Sequence, residues 1–375
     1  MDNLSIPDLY DLVFRVSGSY SAQMRLRSST FRRALPAVAL ASALLATACG
    51  GGGTSSGAGS GDSNTTVRLG YFPNLTHATA LVGVESGILK SALGEHRLDL
   101  KTFNAGPAAV EALFSGGLDA TYIGPNPAIN AYAQSGGDAI RIISGATSGG
   151  ASLVVRPTIK APADLKGKKL ATPQRGGTQD VALRQWLKTN NLKADLEGGG
   201  DVSITPQENA QTLETFRAGQ IDGAWVPEPW ATRLVQEAGG KVLVDERSLW
   251  PGGKFVTTHL VVRTKFLKEH PDAVRRLVEG QVQANDFVNS NPAEAQRLVN
   301  QAITAVTGRG IAPAVLQESW KNLEFTNDPI APSLTASAAH ARDVGLLGRV
   351  DLKGIYDLSA LNQVLAAANQ PEVQG

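Results

Sequence analysis

The sequence predicts an α/β protein of two similar lobes, each a parallel-rich sheet with helices on both faces, joined by two hinge crossings. Three observations carry this. First, residues 116–127 read GGLDATYIGPNP and residues 219–230 read GQIDGAWVPEPW; each run leads into a helical pattern that closes on a glycine pair, Gly136 and Gly137 or Gly239 and Gly240. The offset stays at 103 residues, as 219 against 116 and 239 against 136. Each copy sets an aspartate (Asp119, Asp222) three residues before an aromatic (Tyr122, Trp225) and ends in a proline-interrupted turn, the pattern of strand, sharp loop and helix. Second, 69–77 (LGYFPNLTH) and 170–173 (LATP) followed by TQD at 178–180 each open a further helical run. Third, strand and helix patterns alternate, which argues for parallel sheets with helices packed on them. A period near 100 residues fits duplicated lobes, whereas solenoid repeats run ~20–50 residues.

Taken in order, short β-branched and aromatic runs give strands at 67–71, 98–103, 120–123 and 140–144, with helices at 76–89, 107–114 and 127–134 between them. The second lobe repeats the series with strands 169–172, 201–205, 223–226 and 242–245 and helices 178–188, 209–217 and 230–237. The run LVVR occurs at 153–156 and again at 260–263. Placed on either side of the second lobe, the two runs are expected to cross from the first lobe and return. The division is therefore first lobe 65–156, second lobe 157–257, and return to the first lobe with C-terminal helices over 258–375. Amphipathic helices at 271–289 and 292–306 should pack on the first lobe, with helix 358–368 crossing the joint.

The single cysteine, Cys49, follows a basic region (Arg25, Arg27, Arg32, Arg33) and an apolar run over 34–48. That run is short of the ~20 residues a spanning helix needs and has the layout of a secretory signal, so 1–48 reads as signal peptide, with Met24 as an alternative start. Residues 45–49 (LATAC) resemble a lipobox, which makes Cys49 the lipidated N-terminus and places the protein on the extracytoplasmic face of the cell membrane. Residues 49–64, rich in glycine and serine, are a flexible tether. GTSSG at 53–57 matches the hydrolase elbow only formally, since no strand precedes it. Net charge is +1 with both signs interspersed, which leaves no basic field for nucleic acid. With one cysteine, no intramolecular disulfide can form. The ~310 residues after the tether exceed what one core usually supports.

In open α/β sheets ligands bind beyond the carboxyl ends of the strands, and two facing lobes place two such ends across one cleft. In the first lobe Asn74, Thr76 and His77 open the first helix; in the second, Arg175, Thr178 and Gln179 do so. Helix starts carry free N–H groups and a dipole that favours an anion by ~0.3–1 kcal/mol. A small oxyanion is the ligand this predicts, although Thr and Asn also cap helices with no ligand. At the third-strand loops, Asn126 is placed to bond a ligand oxygen or to set a turn. Trp225 or Trp230 covers an apolar tail or fills a core, and Glu228 holds a ligand amine or a structural partner. Ser148, Gly149 and Thr257 precede the crossings and either face the cleft or serve as loop residues without ligand contact. Asp119 and Asp222 fall at the far end of their strands and read as structural. The five histidines show no metal-ligand spacing, and no Walker loop or hydride-cofactor fingerprint follows a strand, so neither enzyme activity nor a cofactor is expected.

These residues resemble the substrate-binding proteins of ABC importers, in the branch that handles aliphatic sulfonates, taurine and nitrate. The resemblance spans 67–325 and rests on GYFPNLTHA at 70–78, GPNPA at 124–128, 174–184, and 219–230 with its Glu228-Pro229-Trp230. It implies the type II periplasmic-binding-protein fold. It also implies a monomer that captures a small anion and delivers it to a membrane permease and its ATPase. Nitrate, a sulfate ester, a neutral heterocycle, or a sensor role are the alternatives within this resemblance. An enzyme of the same fold would need a His and Cys constellation that the sequence does not hold. Arg175-Gly176-Gly177 departs from the family's usual apolar residue and Gly-Asn before TQD, which puts the usual ligand in question.

Overall fold

The structure, a computed structural model, describes residues 64–375; the signal, lipidation and tether assignments on residues 1–63 lie outside the described residues. Strand β1 (Thr66–Tyr71) runs through a 3-10 turn (Leu75–His77) into α1 (Ala78–Glu85) and α2 (Ile88–Leu93). Gly87, in the left-handed region at φ 78°, breaks the helix expected over 76–89 into two. Then follow β2 (Arg97–Thr102), α3 (Gly106–Phe114), β3 (Ala120–Ile123), α4 (Pro125–Gln134) and β4 (Ile140–Gly149). The second half contains β5 (Ala151–Val155), β6 (Lys169–Thr172), α5 (Thr178–Thr189), β7 (Ser203–Pro206), α6 (Asn209–Arg217), β8 (Gly223–Pro227), α7 (Trp230–Ala238) and β9 (Lys241–Asp245). The chain returns in β10 (Val256–Arg263), α8 (Thr264–Glu269), α9 (Pro271–Ser290), α10 (Pro292–Thr307), α11 (Pro313–Trp320), β11 (Leu323–Phe325), α12 (Ala331–Asp343) and α13 (Ser359–Ala367). Among the described residues no helix is long and apolar enough to cross a membrane.

Two sheets result, in the orders β11-β4-β10-β3-β1-β2 and β7-β6-β8-β5-β9. Each contains a parallel trio, with β1 between β2 and β3 in one and β6 between β7 and β8 in the other. The other pairings are antiparallel, so the sheets are mixed; β4 runs in the direction of the first trio and β9 in that of the second, against β10 and β11 in one sheet and β5 in the other. Side chains alternate between faces, which gives each sheet two apolar layers. In the first sheet Leu69, Tyr122 and Leu260 pack with α9 and α10 residues on one face, and Ile123, Ile142 and Val261 with Ile129 on the other. In the second, Leu153, Leu170 and Trp225 form one layer and Val154, Ala171 and Val226 the other.

The LVVR runs are not the crossings. β10 pairs antiparallel to β3 with Leu260 opposite Tyr122, and β5 pairs antiparallel to β8 with Leu153 opposite Trp225. Each run is therefore its own lobe's copy of the same strand, and the second sheet begins at Ala151 and not at 157. The first crossing is Gly149–Gly150, with φ of 77° and 73°; the second is 246–255, through two short 3-10 turns. Left-handed backbone at both glycines turns the chain out of one sheet and into the next in two residues. Asp119 and Asp222 repeat one structural role at the strand ends away from the cavity described below. Asp119 Oδ2 accepts from Arg68 N at 3.0 Å, and Asp222 Oδ2 from Lys169 N at 2.8 Å. Helix α13 packs on α9 and β4 within the first lobe and does not cross the joint; α12 does, touching α4 and α5. Leu361 and Leu365 bind α13 to the first core, whereas the small buried face of α12 (Ser333, Ser337, Ala338, Ala341) lets helices of both lobes approach.

Candidate functional site

The carboxyl ends of β1, β2 and β3 face those of β6, β7 and β8 across a cavity of about 40 Å³. Its wall comes from the segments after β1, β2, β3, β6 and β7, from Pro227 at the end of β8, and from Thr257 at the start of β10. That exceeds the ~10–15 Å³ a single water needs and is small beside the ~300–1,000 Å³ of pockets for drug-sized ligands. A wider groove, between α9, α12 and the C-terminal residues, is lined by none of the loops that follow these six strands.

Of the residues singled out in the sequence, Asn74, Thr76, His77, Thr178, Gln179 and Thr257 line the cavity. His77 is buried, and burial pushes its imidazole down to about 3, so the ring is neutral. Its Nδ1 accepts from Phe72 N at 3.3 Å, which leaves the proton on Nε2 as a donor. Asn74 precedes the 3-10 turn without capping it; its Oδ1 accepts from Trp230 Nε1 of the second lobe at 2.9 Å. Helix α5 starts from Gly177, which has no side chain to cap it, so the first amides of the helix remain for other acceptors. The preceding loop is held by Asp180, buried with Arg184 at 3.1 Å, which also accepts from Gly176 N at 2.9 Å.

The remaining predicted residues lie elsewhere, each for a visible reason. Asn126 donates to Ser337 O on α12 at 3.2 Å, so it ties α4 to α12. Arg175 pairs with Glu197 in solvent, its side chain 46% exposed. Trp225 is fully buried in the sheet layer, because a mid-strand side chain points at a sheet face and not at the strand's end. Its Nε1 donates to Glu246 at 2.7 Å. Glu228 is buried, which raises its pKa; its carboxyl accepts from Thr232 N at 3.1 Å and Asn322 Nδ2 at 2.7 Å. Ser148 and Gly149 are in β4 and at its crossing; Gly149 O accepts from Thr257 Oγ1.

Sequence reasoning missed Asn104, Gly106, Gly124, Gln174 and Asn209. Asn104 and Asn209 follow the second strand of each lobe, and applying the strand-end rule to those strands as well as to the first and third names both. Asn209 Oδ1 is buried without a hydrogen-bond partner. Asn104 Nδ2 donates to Glu208 Oε1 at 2.6 Å, from one lobe to the other. Among the described residues, no lysine, arginine, aspartate or glutamate lines the cavity. Among the described residues no group of three or more His, Cys, Asp or Glu is placed to hold a metal. Amide and hydroxyl groups with helix starts behind them can bind an oxyanion, and nothing in the wall supplies a nucleophile paired to a base.

Comparison with known proteins agrees with this architecture. A Brucella abortus (strain 2308) protein named only as a binding protein is 29% identical over 236 residues, covering 62% of this chain and 70% of its own. The taurine-binding periplasmic protein of Escherichia coli K12 is 29% identical over 195 residues, 52% of this chain and 58% of that one. The alkanesulfonate-binding protein of Xanthomonas axonopodis pv. citri, solved bound to MOPS, superposes with a TM-score of 0.64 at 20% identity. That match covers 78% of this chain and 96% of the other, and establishes the shared fold. The family profile extends over residues 60–304, and the chain belongs to the NMT1-like family.

Proposed function

We propose that this chain is the extracytoplasmic solute-binding component of an ABC importer. It captures a small organic oxyanion between its lobes and delivers it to a membrane permease driven by an ATPase. The observation that carries the reading is the cavity wall: the neutral His77, with its Nε2 proton, and the uncapped first amides of α5 belong to lining residues of the two lobes, and among the described residues no charged side chain lines the cavity. Such a wall compensates a desolvated anion with hydrogen bonds, and a bond to a charged group contributes about 1.5–3 kcal/mol. The names of the relatives, taurine-binding and alkanesulfonate-binding, support the same solute class. Within that class the wall favours plain alkanesulfonates over taurine, whose ammonium finds no lining carboxylate and is costly to bury unpaired. The rest of the reading is a lipid anchor at Cys49 and a monomeric carrier.

Thermal melting of the chain against ethanesulfonate, taurine and nitrate tests this. Ethanesulfonate at 100 times its Kd should stabilise by about 2.7 kcal/mol. Thr178→Ala should cut that shift while leaving the solute-free melt in place. Equal loss in both would reduce Thr178 to a structural residue, and a shift with nitrate alone would replace the solute class.

A further inference from the structure

Among the contacts that join the lobes around the cavity, four bear on its closure. Three are hydrogen bonds: Trp230 Nε1 to Asn74 Oδ1 at 2.9 Å, Leu75 N to Glu228 O at 3.0 Å, and Asn104 Nδ2 to Glu208 Oε1 at 2.6 Å. The fourth is steric. Gly124, at the end of β3, lies against Thr178 at the start of α5, and both line the cavity. A Cβ added to Gly124 would fall well inside the contact radius of Thr178 Oγ1, with Thr178 Cβ at 3.4 Å and Thr257 O at 3.5 Å. The backbone at Gly124 is ordinary, φ −73° and ψ 164°, and open to any residue. What requires glycine here is the opposite lobe and not the local fold.

We propose that Gly124 determines ligand size: its missing side chain sets how closely the second lobe approaches at Thr178, and so restricts the closed cavity to a short-chain oxyanion. At about 40 Å³ the cavity is small beside the ~300–1,000 Å³ of pockets for drug-sized ligands. A longer alkyl chain must either keep the lobes apart, at the expense of the three hydrogen bonds above, or stay outside. This inference rests on the reading of the cavity as the solute site.

Calorimetric titration of the full chain with ethanesulfonate and hexanesulfonate tests it. The wild type should bind ethanesulfonate at least about tenfold more tightly, a difference well within reach of such titrations. Gly124→Ala should erase most of that ratio, chiefly through weaker ethanesulfonate binding. The double variant Gly124→Ala with Thr178→Ala, which removes the hydroxyl the new methyl strikes, should recover the ratio even if both affinities fall. Equal loss of both ligands in Gly124→Ala, no chain-length preference in the wild type, or no recovery in the double variant would each overturn the size filter. Failure of the wild type to bind any sulfonate is a different result, and would end the site reading and this inference together.

Discussion

Trp225 occupies the repeat position of Tyr122, and both aromatics spend their polar atom on a buried side chain of the protein and not at the cavity. Tyr122 OH reaches Gln281 at 2.6 Å, and Trp225 Nε1 reaches Glu246 at 2.7 Å. Burial pushes the Glu246 carboxyl up to about 7, whereas it drives the imidazoles of His77 and His259 down to about 3 and about 4. The signs are opposite. Glu246, raised in the fold, contributes stability that is full below its ordinary value and is lost as pH rises through about 7. The histidines, lowered in the fold, contribute stability that is full above their ordinary value near 6.5 and is lost as pH falls toward their folded values. Glu246→Gln keeps an acceptor for the indole and removes the charge. At about 1.4 kcal/mol per pH unit of displacement, it should stabilise the chain at pH 8 by on the order of 2–3 kcal/mol. The gain should vanish by pH 4.5, and urea unfolding at the two values reads the difference. An equal effect at both would show that Glu246 is not held protonated by its surroundings. At this scale the sequence located Trp225 correctly on its strand but not its direction, because facing a sheet layer depends on partners more than 20 residues away.

Local pattern sufficed for most elements. Strands 120–123 and 169–172 and helix 209–217 fall where the periodicity placed them, since strand, turn and helix signals are all contained within a dozen residues. The crossings were not legible, because LVVR reads the same whether the strand joins two lobes or sits inside one. Only the pairing of Leu153 with Trp225 and of Leu260 with Tyr122 distinguishes them. The two aspartates that immediately precede β3 and β8 give the element-scale prediction. Asp119 is fully buried and bonds both the backbone and the guanidinium of Arg68, the latter at 2.6 Å. Asp222 bonds one backbone amide and has Lys168 at 3.9 Å, with about a third of its side chain in solvent. Asp119→Ala should therefore cost about 3 kcal/mol and Asp222→Ala about 1 kcal/mol. Urea midpoints rank the two, and neither variant should change solute affinity, since both lie at the strand ends away from the cavity. A loss of affinity in either would mean that the repeat's aspartates act on the site.

For the molecule as a whole, duplicated lobes put like strand ends face to face, and the cavity is the product of that symmetry. Six of the twelve proposed ligand residues line it, all from the first-strand loops and the start of β10. The third-strand residues were misplaced because Asn126 and Glu228 found partners in α12 and before β11, elements that follow the second lobe in sequence and pack against both. Binding should also compact the chain if the lobes close on a solute. Small-angle scattering should then show a smaller radius of gyration with ethanesulfonate, and an unchanged radius in Gly124→Ala. The most direct measurement is a crystal structure of the chain grown with ethanesulfonate. It should show the sulfonate between the lobes, its oxygens within about 2.7–3.2 Å of the first amides of α5 and of His77 Nε2. Density for the sulfonate in the groove along α12, with the strand-end cavity holding only water, would contradict the account.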